Sequence, residues 1–171
     1  MPRHGILVFT AAALVLGGCS RRGPAAVVEA EDVFPGAATV VQMADSRLAP
    51  LLLGGWHNLE DGSWRWTERR FTILLKAPPE GQAAILKLDF ALPEAAVKRL
   101  GSLRLEAKVN GTPLPAQSYD RAGQLTYSRP VPPQALRGET TLVEFALDKA
   151  LPPGPGDARE LGVIVVGVGL Y

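Results

Sequence analysis

The sequence contains few of the residues on which most enzymes and disulfide-bonded proteins depend. Its 171 residues include one cysteine, Cys19, and two histidines, His4 and His57. A single cysteine excludes an intramolecular disulfide, and the absence of a histidine pair or a cysteine cluster removes the usual ligands of a zinc site. Gly-x-Ser-x-Gly and phosphate-binding glycine motifs are also missing. We therefore expect no catalytic residues, no metal and no cofactor.

Net charge and long apolar runs are also lacking. The chain has 18 lysines and arginines and 17 acidic residues, which gives a formal net charge of +1. A nucleic-acid-binding protein needs a basic face, so we expect no nucleic-acid partner. The longest apolar run near the N-terminus, Ile6 to Leu16, has about 11 residues, and a membrane-spanning helix needs about 20.

That short apolar run has the length and flanks of a secretory signal. It follows the basic residue Arg3 and ends in Leu16-Gly17-Gly18-Cys19. This ending resembles the bacterial lipobox, which consists of Leu, two small residues and Cys. The resemblance implies cleavage before Cys19, a diacylglyceryl thioether on its sulfur and an acylated new N-terminus. The alternatives are an ordinary signal peptide, or a buried apolar segment with a chance cysteine.

The resemblance to a lipobox also implies a location. Ser20 rather than Asp follows Cys19, and by the sorting rules of diderm bacteria this favours the outer membrane over the inner one. We therefore expect a lipoprotein of the cell envelope, held by membrane lipid through Cys19. Residues 1–18 would be the signal peptide and residues 19–43 a tether. The segment from Val27 to Gln42 is either part of that tether or a first strand.

The rest of the chain carries the pattern of β-strands. In residues 85–92 ("ILKLDFAL") Lys87 and Asp89 share one face, and the other face carries Leu86, Leu88, Phe90 and Leu92. Residues 103–109 and 141–147 alternate in the same way. A period of two is typical of half-buried strands in an antiparallel sheet.

Glycines and prolines mark the connections between these strands. Asn110-Gly111 predicts a tight hairpin turn, and the segment from Pro93 to Gly101 predicts a short helix. The apolar C-terminal run predicts a strand covered on both faces, with Gly167 and Gly169 allowing a neighbour to approach closely. We expect an all-β fold for residues 44–171: an antiparallel, jelly-roll-like β-sandwich of about eight strands with one or two short helical turns.

One segment concentrates the aromatic and polar residues suited to binding. Residues 54–70 ("GGWHNLEDGSWRWTERR") contain all three tryptophans and the second histidine. Sugars present apolar CH faces, and tryptophans flanked by acidic or basic side chains are suited to them. The candidate ligand-binding residues are Trp56, His57, Glu60, Trp64 and Arg65. The alternative is a structural role for the tryptophans. We favour a structural role for Trp66, which leads into an apolar strand and would fill the sandwich core or plug its end. Both roles stay open for Trp56, which follows two glycines in an expected loop.

A second pair of charged residues lies near the C-terminus. Asp157 and Arg159 stand two positions apart in a loop before the final strand. An aspartate and an arginine at this spacing often bind each other or nearby backbone groups. We therefore interpret them as a structural loop pair.

The order of several short motifs is similar to that of galactose-binding-like jelly-roll modules from bacterial envelope and polysaccharide-associated proteins. The motifs, which span about 115 residues, are Gly55-Trp56, Glu60, Trp64-Arg65-Trp66-Thr67, Val109-Asn110-Gly111, Pro132-Pro133 to Gly138, Val143 to Leu147, and Asp157-x-Arg159-x-Leu161-Gly162. The resemblance implies a β-sandwich with an accessory, often carbohydrate-related role, and it carries no defined binding site.

Together these patterns predict a membrane-anchored, exported lipoprotein whose non-catalytic β-sandwich binds glycan or another envelope component. The alternative is an envelope scaffold that contacts protein partners and binds no small molecule. A third and weaker option is a glycan-active enzyme, because paired carboxylates can cleave glycosides and acidic residues are plentiful in this chain.

Overall fold

The computed structural model describes residue 36 and residues 38–171. The predicted signal peptide, Cys19 and most of the predicted tether lie outside the described residues. The described part forms nine strands: β1 Val40–Gln42, β2 Leu52–Glu60, β3 Trp64–Lys76, β4 Ala84–Leu92, β5 Leu103–Val109, β6 Thr112–Tyr119, β7 Gly123–Val131, β8 Thr140–Leu147 and β9 Ile164–Leu170. It also contains helix α1 (Glu94–Leu100) and two 3₁₀ turns, Ser46–Leu51 and Pro133–Ala135.

All strand pairs are antiparallel, and they form one hydrogen-bonded sheet in the order β6-β5-β8-β3-β9-β4-β7. β1 pairs with β9, and β2 pairs with β3. The long strand β3 pairs with β9 at residues 65–66 and with β8 at residues 70–76. β3 therefore passes from one layer of the fold to the other.

The two layers enclose one apolar core. Phe90 of β4 meets Tyr119 of β6 edge to face at 5.0 Å, and Tyr127 of β7 meets Phe145 of β8 at 6.5 Å. These contacts join strands of opposite layers. The alternating residues of β4, β5 and β8 point into this core, as the period-two pattern predicts. The predicted all-β antiparallel sandwich is confirmed.

A buried threonine fixes the point at which β3 leaves one layer. Thr67 is fully buried, and its hydroxyl accepts a hydrogen bond from the Val163 N–H at 3.1 Å. Its own backbone N–H donates to the Val163 carbonyl at 2.9 Å. A buried hydroxyl needs such a partner, so this contact stabilises the start of β9 against β3.

The predicted turns and the short helix occur where expected. Asn110 and Gly111 have φ values of 46° and 79° and connect β5 to β6. Helix α1 ends at the C-cap Gly101. None of the helices among the described residues is long and apolar enough to cross a membrane.

Gly169 lies against β1, as predicted for a close neighbour. A β-carbon at this position would stand 2.8 Å from a methyl carbon of Val40 and 3.0 Å from the Thr39 carbonyl oxygen. β1 itself begins before residue 44, within the segment that the sequence interprets as either a tether or a first strand.

The structure corrects the prediction of a loop around Trp56. Residues 52–60 form strand β2, because β3 supplies backbone hydrogen-bond partners along its length. The register of β2 against β3 shifts at three places, and Gly54 and Gly55 lie within this irregular part of the strand.

Candidate functional site

Two of the regions predicted from the sequence meet around Arg159. Its guanidinium donates to the Glu60 carboxylate at 2.7 Å and to the Asp157 carboxylate at 2.8 and 2.9 Å. The backbone N–H of Arg159 also donates to Asp157, at 2.9 Å. One arginine therefore ties the end of β2 to the loop before β9. We call Glu60, Asp157 and Arg159 the Arg159 cluster.

The electrostatics of the Arg159 cluster follow from these contacts. Hydrogen bonds from Arg159 favour the charged carboxylate, and they lower the pKa of Asp157 from 3.8 to about 2. The two carboxylates in turn raise the pKa of Arg159, with the Asp157 hydrogen bond the larger cause. The three side chains are each about a third exposed. Screening by solvent therefore limits what their attraction contributes to stability.

His57 and Arg65 stand beside this cluster. The His57 Nε2 lies 2.7 Å from the Glu160 carbonyl oxygen, which requires a proton on that nitrogen because a carbonyl only accepts. Arg65 donates to the His57 carbonyl at 2.9 Å. Within the described residues the buried Arg65 Nε has no hydrogen-bond partner, and burial lowers the pKa of this guanidinium.

Trp56 lies at the rim of the core. Its indole N–H donates to the Thr72 carbonyl at 2.8 Å, and its ring meets Phe71 edge to face at 5.0 Å. Gly55 makes this placement possible, because its φ is 73° and a β-carbon there would lie 1.9 Å from the Arg70 carbonyl oxygen. The indole of Trp56 is therefore already hydrogen-bonded and packed within the chain.

Trp64 and Trp66 are both half-buried and lie on the face of β3 opposite Thr67, so Trp66 does not fill the core as one favoured interpretation predicted. Thr67 and Phe71 of the same strand are buried, so alternation turns the two tryptophans outward. Trp66 pairs with the half-buried Ile164. Neither tryptophan packs against the apolar core. The alternation of residues along β3 decides which way Trp66 points, and the apolar residues that follow it in the sequence do not.

A groove of about 660 Å³ lies along β4, β7 and the β6–β7 connection. Its polar lining consists of Asp89, Gln117, Ser118, Asp120, Arg121, Gln124 and Thr126. Its apolar lining consists of Phe90, Ala91, Tyr119, Leu125 and Val166. Hydrogen-bond donors, acceptors and apolar surface therefore occur together in one concave surface.

Two hydrogen bonds shape the wall of this groove. The Thr126 hydroxyl donates to the Asp89 carboxylate at 2.6 Å, across the β4–β7 pair. The Tyr119 hydroxyl donates to the Thr126 carbonyl at 3.1 Å. Burial raises the pKa of Tyr119 to about 12, so its hydroxyl keeps its proton at neutral pH. Tyr119 and Thr126 hold the connection against β4.

The sequence predictions did not include this groove. One signal for it was present, because residues 117–124 ("QSYDRAGQ") form a polar run between two strands. Polar connections are common on every sandwich, so the run alone could not mark a site. Asp89 was placed correctly on the solvent face of β4, but its nearness to residues 117–124 depends on the pairing of β4 with β7. Among the described residues no group of three or more His, Cys, Asp or Glu side chains is arranged to hold a metal ion.

Comparisons with known proteins give distant similarities of fold. No family model and no curated protein sequence matches the chain. An exo-β-1,3-galactanase from Phanerochaete chrysosporium is 13% identical with a TM-score of 0.44, over 79% of this chain and 29% of the galactanase chain. A family 35 carbohydrate binding module from Clostridium thermocellum is 13% identical with a TM-score of 0.48, over 77% of this chain and 97% of the module.

A carbohydrate-binding module solved with calcium and xylotriose is 8% identical with a TM-score of 0.44, over 78% of this chain and 99% of that module. The chain thus spans less than a third of the galactanase and nearly the whole length of the two modules.

Proposed function

We propose that the β-sandwich is a non-catalytic module that binds a carbohydrate in the groove along β4, β7 and the β6–β7 connection. The observation that carries this proposal is the lining of the groove, which combines amide, carboxylate, guanidinium and hydroxyl groups with apolar surface. A sugar presents hydroxyls that both donate and accept, together with apolar CH faces. A mixed lining of this kind is suited to such a ligand.

The Arg159 cluster is less suited to hold the ligand. Its carboxylates and guanidinium already bind one another, and His57 and Trp56 are hydrogen-bonded to backbone carbonyls. A ligand that used these groups would first have to break contacts within the chain. We assign the cluster the structural task of joining β2 to the loop before β9.

We also propose that the chain is anchored in a bacterial envelope membrane, with the outer membrane favoured, through a lipid on Cys19. The resemblance of residues 16–19 to a lipobox supports this, as does the absence of any second cysteine. The segment between Cys19 and β1 would hold the module at a distance from the membrane surface.

Binding can be tested with a panel of polysaccharides: β-glucan, xylan, galactan, chitin, chitosan and polygalacturonan. We expect at least one to bind, and Arg121→Ala to weaken that binding about tenfold or more, because hydrogen bonds to charged groups contribute roughly 1.5–3 kcal/mol. Arg137→Ala is the matched control, since Arg137 is also an exposed arginine and lies outside the groove. Failure of the folded protein to bind any of these would favour the scaffold role.

The anchor needs a separate test. Metabolic labelling with palmitate should mark the wild-type chain and leave the Cys19→Ser variant unlabelled. Label that persists in Cys19→Ser would refute lipidation at this residue. Fractionation of the envelope membranes would then distinguish the outer membrane from the inner one.

A further inference from the structure

A row of side chains crosses the outer face of the layer that contains β7, β4, β9 and the start of β3, one from each of these four neighbouring strands. The register pairs β3 with β9, β9 with β4, and β4 with β7 at this level. The four residues, which we call the outer row, are Trp66, Ile164, Ala91 and Gln124. Neighbouring strands lie about 4.8 Å apart, so the two ends of the outer row are separated by about 14 Å.

The adjacent residues on the same strands show that the outer row faces away from the core. Arg65 pairs with Val165, and Phe90 pairs with both Val165 and Leu125. Val165 and Phe90 are almost completely buried. Successive residues of a strand point to opposite faces, so the outer row lies on the opposite surface from the buried Val165 and Phe90.

One end of the outer row is part of the groove. Ala91 and Gln124 line it, and so does Val166 of β9. The pairing of β9 with β4 skips Val166, which forms a bulge and leaves 41% of this residue exposed beside the row. The groove and the outer row therefore share Ala91 and Gln124, with the exposed Val166 beside them.

The chemistry changes along this path. At the groove end are the charged and amide groups described above. Ile164 and Ala91 then form an uncharged stretch, and Trp66 stands at the far end with Trp64 two residues away on the same side of β3. The groove can bind one sugar by hydrogen bonds, and the indole of Trp66, on the other side of Ile164 and Ala91, can stack against another sugar of the same chain. A single sugar ring is too short to reach both.

We infer that the ligand is an extended carbohydrate chain, bound across β7, β4, β9 and β3 with one sugar in the groove and another against Trp66. This inference rests on the proposed function of the groove. It adds the class of ligand: a polysaccharide bound along its length, and not an isolated sugar or a short chain end.

Calorimetry with size-graded fragments, from disaccharide to hexasaccharide, of each polysaccharide in the panel tests this. For the full wild-type chain we expect affinity to rise with length. Trp66→Ala should weaken hexasaccharide binding about tenfold and leave disaccharide binding unchanged. Trp66→Phe, which keeps an aromatic face, should restore most of the loss. Arg121→Ala in the groove should weaken binding at every length.

Tyr171→Ala provides the control for loss of an exposed aromatic side chain, since Tyr171 lies opposite Ile85, away from the outer row. Urea unfolding of each variant confirms that it folds. Affinity that does not depend on length, or an equal loss for disaccharide and hexasaccharide in Trp66→Ala, would overturn the inference and leave the groove proposal standing. Absence of binding to every fragment would overturn both.

Discussion

Replacing Gly55 with alanine should destabilise the protein far more than the same change at a second glycine of the β2–β3 hairpin. Gly55 has a φ of 73°, a conformation that costs an L-residue about 1–2 kcal/mol. The added β-carbon would also lie 1.9 Å from the Arg70 carbonyl oxygen and 2.7 Å from the Phe71 Cα. Both are backbone atoms, which cannot rotate away, so β2 would have to separate from β3.

The size of the effect is the sum of these two contributions. Overpacking of this kind costs about 1–3 kcal/mol, which gives a total of about 2–5 kcal/mol for Gly55→Ala. Separation of the strands would also lengthen the hydrogen bond from the Trp56 indole to the Thr72 carbonyl, now 2.8 Å. A domain of this size is stable by roughly 5–15 kcal/mol, so the loss would be a large fraction of the total.

Gly62→Ala is the matched control. Gly62 has a φ of 63° in the turn of the same hairpin, and nothing lies within 4 Å of the position that an added β-carbon would take. Its substitution should therefore cost only the conformational contribution of about 1–2 kcal/mol. Urea unfolding followed by circular dichroism gives both free energies. If the two variants differ by less than about 0.5 kcal/mol, the steric explanation of the bulge is wrong.

Three further predictions concern the strand order, the Arg159 cluster and the tyrosines. A chain that begins at residue 44 loses the buried Val41 and Met43, whose burial contributes about 1.5–3 kcal/mol for each side chain. Its free energy of unfolding, measured with urea, should therefore be about 3–6 kcal/mol lower than that of a chain beginning at residue 38. Equal free energies would contradict the role of β1. Because the pKa of Asp157 is lowered from 3.8 to about 2, the stability that this carboxylate contributes is present above pH 3.8 and is lost as the pH falls towards 2. This acid-induced loss of stability should be smaller in Arg159→Met. An acid unfolding curve that is unchanged in the variant would refute the pairing of Asp157 with Arg159. Burial raises the pKa of both Tyr119 and Tyr127 from 10 to about 12, so their contribution to stability is complete below pH 10 and is lost as the pH rises through 12. Ultraviolet titration of the folded protein should show two tyrosines ionising near pH 12, and ionisation of Tyr119 and Tyr127 near pH 10 would contradict their burial.

The strands with a continuous apolar face could be predicted from the sequence, and those without one could not. β4, β5 and β8 have one apolar and one polar face, so the period alone identifies them. β2 contains two adjacent glycines, and its strand conformation depends on hydrogen bonds from β3 across three shifts of register. β7 carries few apolar residues and a proline, and it is held as an edge strand by β4.

The candidate residues show the same division. The sequence placed Trp64 and Trp66 on one side of β3, because alternation is a local property. It also interpreted Asp157 and Arg159 as a pair, since they stand two positions apart. It offered no reason to expect Glu60 as their third member, because that contact spans 99 positions of the chain.

The sequence by itself determined the class of fold, the turns, and which side chains share a face of a strand, since these follow from backbone geometry over a few residues. The tertiary structure alone decided which faces lie next to one another. The groove brings β4 and the β6–β7 connection together through the pairing of β4 with β7. The outer row exists because β9 pairs with both β3 and β4. Hydrogen bonds between backbones carry no record of side-chain identity, and strand order therefore cannot be read from local pattern.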